Sequence, residues 1–241
     1  MIKARKRIIS TMILVFDLDD TLYPEISYVY SGFRAVAEFI EDKYKVSVRD
    51  TLPFMKSYLT QYGRGHVFNE CLSNYDINPT RKAINELIHV YRFHDPTIRL
   101  PIESRQCLQR FSHYAKYVVT DGNKVVQLKK LKALDLYDTS YFKKCYITHR
   151  YGRSHAKPSS YCFWDICRNE DEKPWNVVYI GDNPNKDFVG IKPEGFRTIR
   201  ILQGEYKALV VDESMDADCT VGSLNELTED FLRNFKMRMH E

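Results

Sequence analysis

The 241-residue chain predicts an α/β fold, a doubly wound parallel-sheet (Rossmann-like) core carrying a small all-helical domain. Three observations predict it. Near the start, Ile13, Leu14, Val15 and Phe16 form an apolar run bounded by charge, the pattern of a strand buried on both faces. From residue 102 onward, short apolar runs alternate with helical patterns, as in successive crossover units. Between these regions, residues 25 to 97 carry helical spacing with no strand pattern.

The elements follow in order. Within the helical region, Ile26, Val29, Phe33, Val36, Ala37, Ile40 and Tyr44 recur at helical spacing. A second helix is predicted from Val48 to Tyr62, with Gly63 as its stop, and a short third around Val67, Phe68 and Leu72. A fourth starts at the cap-like Asn78-Pro79 and carries Ile84, Leu87, Ile88 and Tyr91. Pro24 on one side and Pro96 with Pro101 on the other punctuate this insert. The division predicted is a core of residues 1–22 and 98–241 and a helical domain of residues 23–97. Within the core, a helix over Glu103 to His113 precedes a strand, Tyr117 to Val119, that ends in Thr120-Asp121-Gly122. Next come a helix from Val125 to Leu134 and a strand from Lys144 to Ile147. Lys157-Pro158 then leads into a helix through Tyr161, Trp164 and Ile166. The strand Val177 to Ile180 runs into Gly181-Asp182-Asn183-Pro184-Asn185-Lys186-Asp187. A strand from Thr198 to Ile201, an irregular stretch and a helix from about Asn225 to Met237 complete the pattern.

Composition narrows the function class. The chain is 44% hydrophobic and 28% charged, the balance of a globular protein. Its net charge of +4 is spread out. The one basic cluster is Lys3, Arg5, Lys6 and Arg7, which predicts a solvated arm and no nucleic-acid surface, since the rest of the chain has no basic stripe. No run approaches the length of a membrane span. The six cysteines (Cys71, Cys107, Cys145, Cys162, Cys167 and Cys219) include no C-x-x-C pair. Neither a zinc site nor a disulfide framework is predicted, and the expected setting is reducing and cytoplasmic.

Three predicted strand ends carry polar groups: Asp17 with Asp19, Thr120, and Asp182 with Asp187. In a parallel sheet they share one edge, where such folds bind ligands, and Lys157 can reach the same edge from a loop. Asp17 and Asp19, two apart at a strand end, are expected to project to one side and repel. A divalent cation relieves that repulsion, and hard oxygen ligands suit Mg²⁺. Carboxylates, a hydroxyl, a lysine and Mg²⁺ make an inventory for phosphoryl transfer. Signatures for acyl transfer, nucleoside triphosphates and dinucleotides are absent.

Four ordered motifs carry a family resemblance: Asp17-x-Asp19-x-Thr21, Thr120, Lys157-Pro158, and Gly181-Asp182 with Asp187 five residues on. Together they closely resemble the haloacid dehalogenase-like hydrolase superfamily. The resemblance implies Asp17 as the nucleophile that forms an aspartyl-phosphate, and Asp19 as the acid and then the base. It implies Thr120 and Lys157 as ligands of the phosphoryl group. Asp121, placed with them as a substrate-binding residue, and Asn123 are expected to contribute a backbone donor or a helix cap. It implies Mg²⁺ held by Asp17, the carbonyl of Asp19 and Asp182, with Asp187 in an outer or water-mediated place. Dehalogenase members lack the second aspartate of the first motif, so Asp19 points to the phosphatase branch. A helical insert between the first and second motifs resembles the cap of phosphatases acting on small phosphomonoesters.

FDLDDTLYP and the segment Gln61-Tyr62-Gly63-Arg64-Gly65-His66 are similar to phosphatases of nucleoside monophosphates, and sugar-phosphate phosphatases share the motifs. Arg64 and His66, with Arg34 and Tyr62, are candidates for gripping the substrate's leaving half. The expected partner is thus a small phosphorylated metabolite, with no nucleic acid or membrane and no stated oligomeric state. Two alternatives stay open: a sugar phosphomutase on the same core, and a binding protein on a degenerate one.

Overall fold

The computed structural model describes residues 12–238; the basic cluster Lys3, Arg5, Lys6 and Arg7 lies outside the described residues. Every residue of β1 (Ile13–Phe16) is buried, because a strand pairs with it on each side. The sheet's other strands are β2 (Ala115–Thr120), β3 (Lys144–Ile147), β4 (Val177–Gly181), β5 (Arg197–Ile201) and β6 (Cys219–Val221). Their order is β3-β2-β1-β4-β5-β6, and every pairing is parallel. Central β1 aligns Phe16 with Val118 on one side and with Ile180 on the other. The C-terminal ends of β1, β2 and β4 therefore lie side by side. Side chains of alternate residues split between the faces. Ile13, Val15, Tyr117, Val119, Tyr146, Val177 and Tyr179 fill one face with Phe163 and Ile166.

The chain packs as two units. One holds residues up to Pro24, Leu100–Gln127 and Asp135 onward; the other holds Glu25–Arg99 with Leu128–Leu134. The first contains the sheet. The second is built from α1 (Glu25–Tyr44), α2 (Val48–Tyr62), α3 (Val67–Asn74) and α4 (Arg81–Phe93). Its core joins Val29, Phe33, Val36, Ala37 and Ile40 of α1 to Met55, Leu72 and Leu87. Those α1 residues recur every three or four positions, which is why the helix has one apolar face. Ser47 caps α2 by accepting from Arg49 N, and Gly63 closes it with a bond to Leu59 O at 2.9 Å. After this unit come α5 (Ile102–Arg110), α6 (Lys124–Ala133), α7 (Tyr161–Glu170) and α8 (Glu229–Arg238). Among the described residues no helix is long and apolar enough to cross a membrane.

Four details depart from the sequence reading. The cap of α4 is Thr80, whose hydroxyl accepts from Ala83 N at 3.2 Å; Asn78 and Pro79 lie before it. Strand β2 begins two residues earlier than predicted. The parallel register pairs Ala115 with Ile13, and buried Lys116 donates to Phe111 O at 2.6 Å. A sixth strand, Cys219–Val221, occupies the stretch read as irregular. It is too short for alternation to register, and it forms because β5 offers it an edge. The final helix starts at Glu229 rather than near Asn225, because a separate 3₁₀ turn occupies Leu224–Glu226.

Candidate active site

Three neighbouring strand ends supply the site. At the end of β1 the backbone N–H of Asp17 still donates to Ile180 O at 2.8 Å, which sets Asp17 against the end of β4. The chain then turns through Asp20, whose φ is 50°. The turn, which begins just after the strand, overrides the expected strand alternation. Asp19 is directed elsewhere than Asp17: its Oδ1 accepts from Tyr23 Oη at 2.5 Å and its Oδ2 from Gln127 Nε2 at 2.8 Å. Asp20 accepts from Glu205 N at 3.4 Å, a contact that holds the turn.

Beyond β4, Asn183 N donates to Asp187 Oδ2 and Asp187 N donates to Asn183 O, each at 2.9 Å. This turn folds Asp187 back beneath Gly181, where a Cβ would stand 2.6 Å from Asp187 Oδ2. Asp17, Asp182 and Asp187 are buried and bring carboxylate oxygens within 4.8 Å of one another. Lys157 Nζ lies 2.7 Å from Asp187 Oδ1 and 3.0 Å from Asp17 Oδ1, and donates to Tyr179 Oη at 2.7 Å.

Buried like charges set the electrostatics. Burial, reinforced by Asp17 and Asp187, pushes the Asp182 carboxyl up to about 9. Burial likewise raises Asp17 to about 7, against the pull of Lys157 and Lys186. Burial alone would lower the Lys157 ammonium, but Asp17 and Asp187 outweigh it and hold the group well above its ordinary value. Ionised together, three carboxylates would outweigh the ammonium of Lys157, and the raised values of Asp17 and Asp182 are the consequence. An all-oxygen donor set of this kind fits a hard divalent cation such as Mg²⁺. Both oxygens of Asp187 already accept hydrogen bonds, so Asp17 and Asp182 are the better placed to ligate directly.

The second strand end adds Thr120, buried, whose Oγ1 accepts from Gln127 Nε2 at 2.6 Å. Asp121 spends its carboxylate on structure. Its Oδ1 accepts from Thr148 Oγ1 at 2.7 Å and from Lys157 N at 3.1 Å, which ties down the loop carrying Lys157. Asn123 caps α6 by accepting from Val125 N. Lys186 sits 4.0 Å from Asp121 Oδ2, and its charge acts on Asp17.

Asp17, Lys157, Asp182 and Asp187 thus share one cluster, and Asp19 and Thr120 are joined through Gln127. Arg64 and His66 lie in the helical unit. There Arg64 pairs with Glu25 at 2.6 Å, and His66 precedes α3 in the left-handed region with a φ of 60°. Sequence reasoning missed Tyr23, Gln127 and Tyr179. Only Gln127 left a signal: it lies four and seven residues before buried Leu131 and Leu134, a polar residue at a core-facing helical position.

Comparison with known proteins identifies the family. A family model described as haloacid dehalogenase-like hydrolase matches residues 11–195. The glyceraldehyde 3-phosphate phosphatase of Methanocaldococcus jannaschii is 27% identical over 234 residues, covering 92% of this chain and 97% of that protein. The protein of the same name from Pyrococcus furiosus is 24% identical over 225 residues, covering 90% and 91%. Among solved structures, the magnesium-bound HAD-hydrolase YfnB from Bacillus subtilis superposes with a TM-score of 0.66 at 18% identity, covering 90% of this chain and 96% of that one. A 2-haloacid dehalogenase from Pseudomonas syringae gives 0.61 at 20% identity, covering 92% and 99%. The two structures share the fold. With the family model spanning the first three-quarters of the sequence, the chain belongs to the haloacid dehalogenase-like hydrolases.

Proposed function

We propose that this hydrolase is a Mg²⁺-dependent phosphatase of a small phosphomonoester, a sugar phosphate of triose size, acting through an aspartyl-phosphate on Asp17. The observation that carries the reading is Lys157 held between Asp17 and Asp187 beside Asp182, with Asp19 on a separate hydrogen-bonded mount. The choice of a sugar phosphate over a nucleoside monophosphate rests on the relatives named for glyceraldehyde 3-phosphate. The helical unit serves as the cap that selects the substrate.

Asp17, Asp182 and the carbonyl of Asp19 would hold Mg²⁺, with Asp187 outside them. When bound, the ion keeps the carboxylates ionised and offsets the charge of the phosphoryl oxygens. Lys157 and the Thr120 hydroxyl bind those oxygens, with the backbone N–H of Asp121. An oxygen of Asp17 attacks phosphorus in line, and the bond from phosphorus to the leaving oxygen breaks. Asp19 gives its proton to that oxygen. The ionised Asp19 then takes a proton from water as the water attacks phosphorus. The bond to Asp17 breaks, inorganic phosphate leaves, and Asp19 is protonated again.

The test is a phosphate-release screen over triose phosphates, hexose phosphates and nucleoside monophosphates, run with wild type and Asp17→Asn. Release that is fastest from a triose phosphate, abolished by the substitution and by chelator, is the expected outcome. Activity that survives either treatment overturns the reading. An isomerised sugar phosphate without phosphate release would make the enzyme a mutase.

A further inference from the structure

Gln127 is a side chain that the fold goes to some length to bury. It is 2% exposed in a helix whose solvent side carries lysines, and its amide nitrogen faces Asp19 Oδ2 at 2.8 Å and Thr120 Oγ1 at 2.6 Å. An ionised carboxylate only accepts, so the amide must turn its nitrogen, not its oxygen, toward Asp19. That nitrogen carries two hydrogens, one for each partner. The second bond has a consequence for Thr120. Its oxygen accepts from Gln127, so its own hydrogen is left to point elsewhere.

We infer that Gln127 is a positioning residue that aims two groups of the reaction at once, an inference that rests on the phosphatase reading above. It holds the plane of the Asp19 carboxyl together with Tyr23 on the other oxygen, so that the proton is delivered along one direction. It also turns the Thr120 hydroxyl outward as a donor to the phosphoryl oxygens. Helix α6 is the frame for this, because Asn123 caps its first turn and Gln127 N bonds Asn123 O at 2.9 Å. A group that must be protonated at one step and ionised at the next gains most from such a hold. Its geometry stays fixed while its charge changes.

The two partners predict different kinetic signatures. The proton from Asp19 matters for an alkyl phosphate, whose leaving alkoxide is strongly basic. It matters little for p-nitrophenyl phosphate, whose phenolate leaves without help. The hold on Thr120 concerns the phosphoryl group, which the two substrates share. The ratio of their kcat/KM values, which reports the steps up to expulsion of the leaving group, therefore isolates the hold on Asp19.

The experiment measures kcat/KM for glyceraldehyde 3-phosphate and for p-nitrophenyl phosphate in wild type, Gln127→Met and Gln127→Asn, each checked for folding by circular dichroism. The expected result is a loss of about tenfold to a hundredfold more on the sugar phosphate than on the aryl phosphate. Equal losses on both substrates, or no loss, overturn the inference while leaving the phosphatase reading intact. A wild type inert on both substrates overturns the reading and the inference with it. A second measurement needs no variant: the Gln127 side-chain amide, identified in wild-type NMR spectra by its contacts to the Thr120 methyl, should exchange slowly with D₂O. Fast exchange would show that the amide is not held, and would sink the inference even if neither variant folds.

Discussion

Lys157 Nζ stands 3.0 Å from Asp17 Oδ1, with both side chains shut away from solvent. In that place the ammonium offsets part of a charge that would otherwise work against folding. Lys157→Met should leave three buried carboxylates facing one another. Removing one partner of a buried pair costs about 3–5 kcal/mol. The metal-free variant should therefore unfold well below wild type in a thermal melt. Added MgCl₂ should raise the midpoint of both proteins, and by more in the variant, because the ion then supplies the counter-charge that Lys157 gave. A variant as stable as wild type without metal would show that the pair has no part in offsetting the cluster.

The segment that carries Lys157 is also fixed from below. A Cβ on Gly190 would stand 1.7 Å from the carbonyl oxygen of Pro158. Gly190→Ala must displace that segment or its own turn, at the cost of overpacking, about 1–3 kcal/mol. The thermal midpoint should drop, and phosphate release should fall with it as Lys157 moves off its partners. Gly65→Ala is the control, since nothing lies within 4 Å of a Cβ there. Its midpoint should match wild type; equal effects from the two substitutions would remove the explanation by contact.

How far the sequence anticipated this site depends on the kind of signal. Asp17, Thr120, Lys157, Asp182 and Asp187 were legible because each lies beside an apolar run or a Pro and Gly that mark a strand end or turn. The burial of β1 was legible for the same reason, four apolar residues ending in charge. The direction of Asp19 was not, because the turn through Asp20 breaks the strand period on which the expectation relied. Tyr179 alternates with Val178 and Ile180 as any strand aromatic does; only the register of β4 puts its hydroxyl on Lys157. Strand β6 owes its existence to the edge of β5, a long-range cause that no local pattern records.

Within the helical unit, His94 gives a pH dependence with a definite sign. Its Nδ1 donates to Tyr91 O at 2.7 Å and its Nε2 lies 3.0 Å from Ser31 Oγ, with Tyr28, Lys129, Asp95 and Lys130 also facing the ring. Burial lowers the imidazole below its ordinary value; the Tyr91 carbonyl and Asp95 oppose this, and Lys129 and Lys130 reinforce it. The unfolded chain therefore takes up a proton at a higher pH than the folded one. The contribution is complete above the unfolded value, near pH ~6.5. It is lost as pH falls through the lowered folded value. The raised carboxyls of Asp17 and Asp182 push the other way, so the sign is read as a difference between two proteins. In urea melts the stability of wild type relative to His94→Gln should fall from neutral pH toward mildly acid pH; a difference that does not change with pH would remove His94 from the pH dependence.

The last prediction separates recognition from structure at Arg64. Its guanidinium pairs with Glu25 at 2.6 Å, and half of its side chain is open to water. Exposed pairs of this kind are worth about 0–1 kcal/mol, so Arg64→Ala should barely move the thermal midpoint. Glu25 keeps a second cation, Lys130 Nζ at 3.5 Å, so the carboxylate is not stranded by the change. If Arg64 selects the substrate, as proposed for the helical unit, its loss removes a charged contact worth about 1.5–3 kcal/mol. KM for a sugar phosphate should then rise about tenfold to a hundredfold, while a substrate as small as acetyl phosphate, which has no leaving half to grip, should be turned over almost as before. His66→Ala tests the neighbouring position in the same assay. Equal losses on both substrates, with an unchanged midpoint, would place Arg64 on the phosphoryl group itself and remove it from the selection of the leaving half.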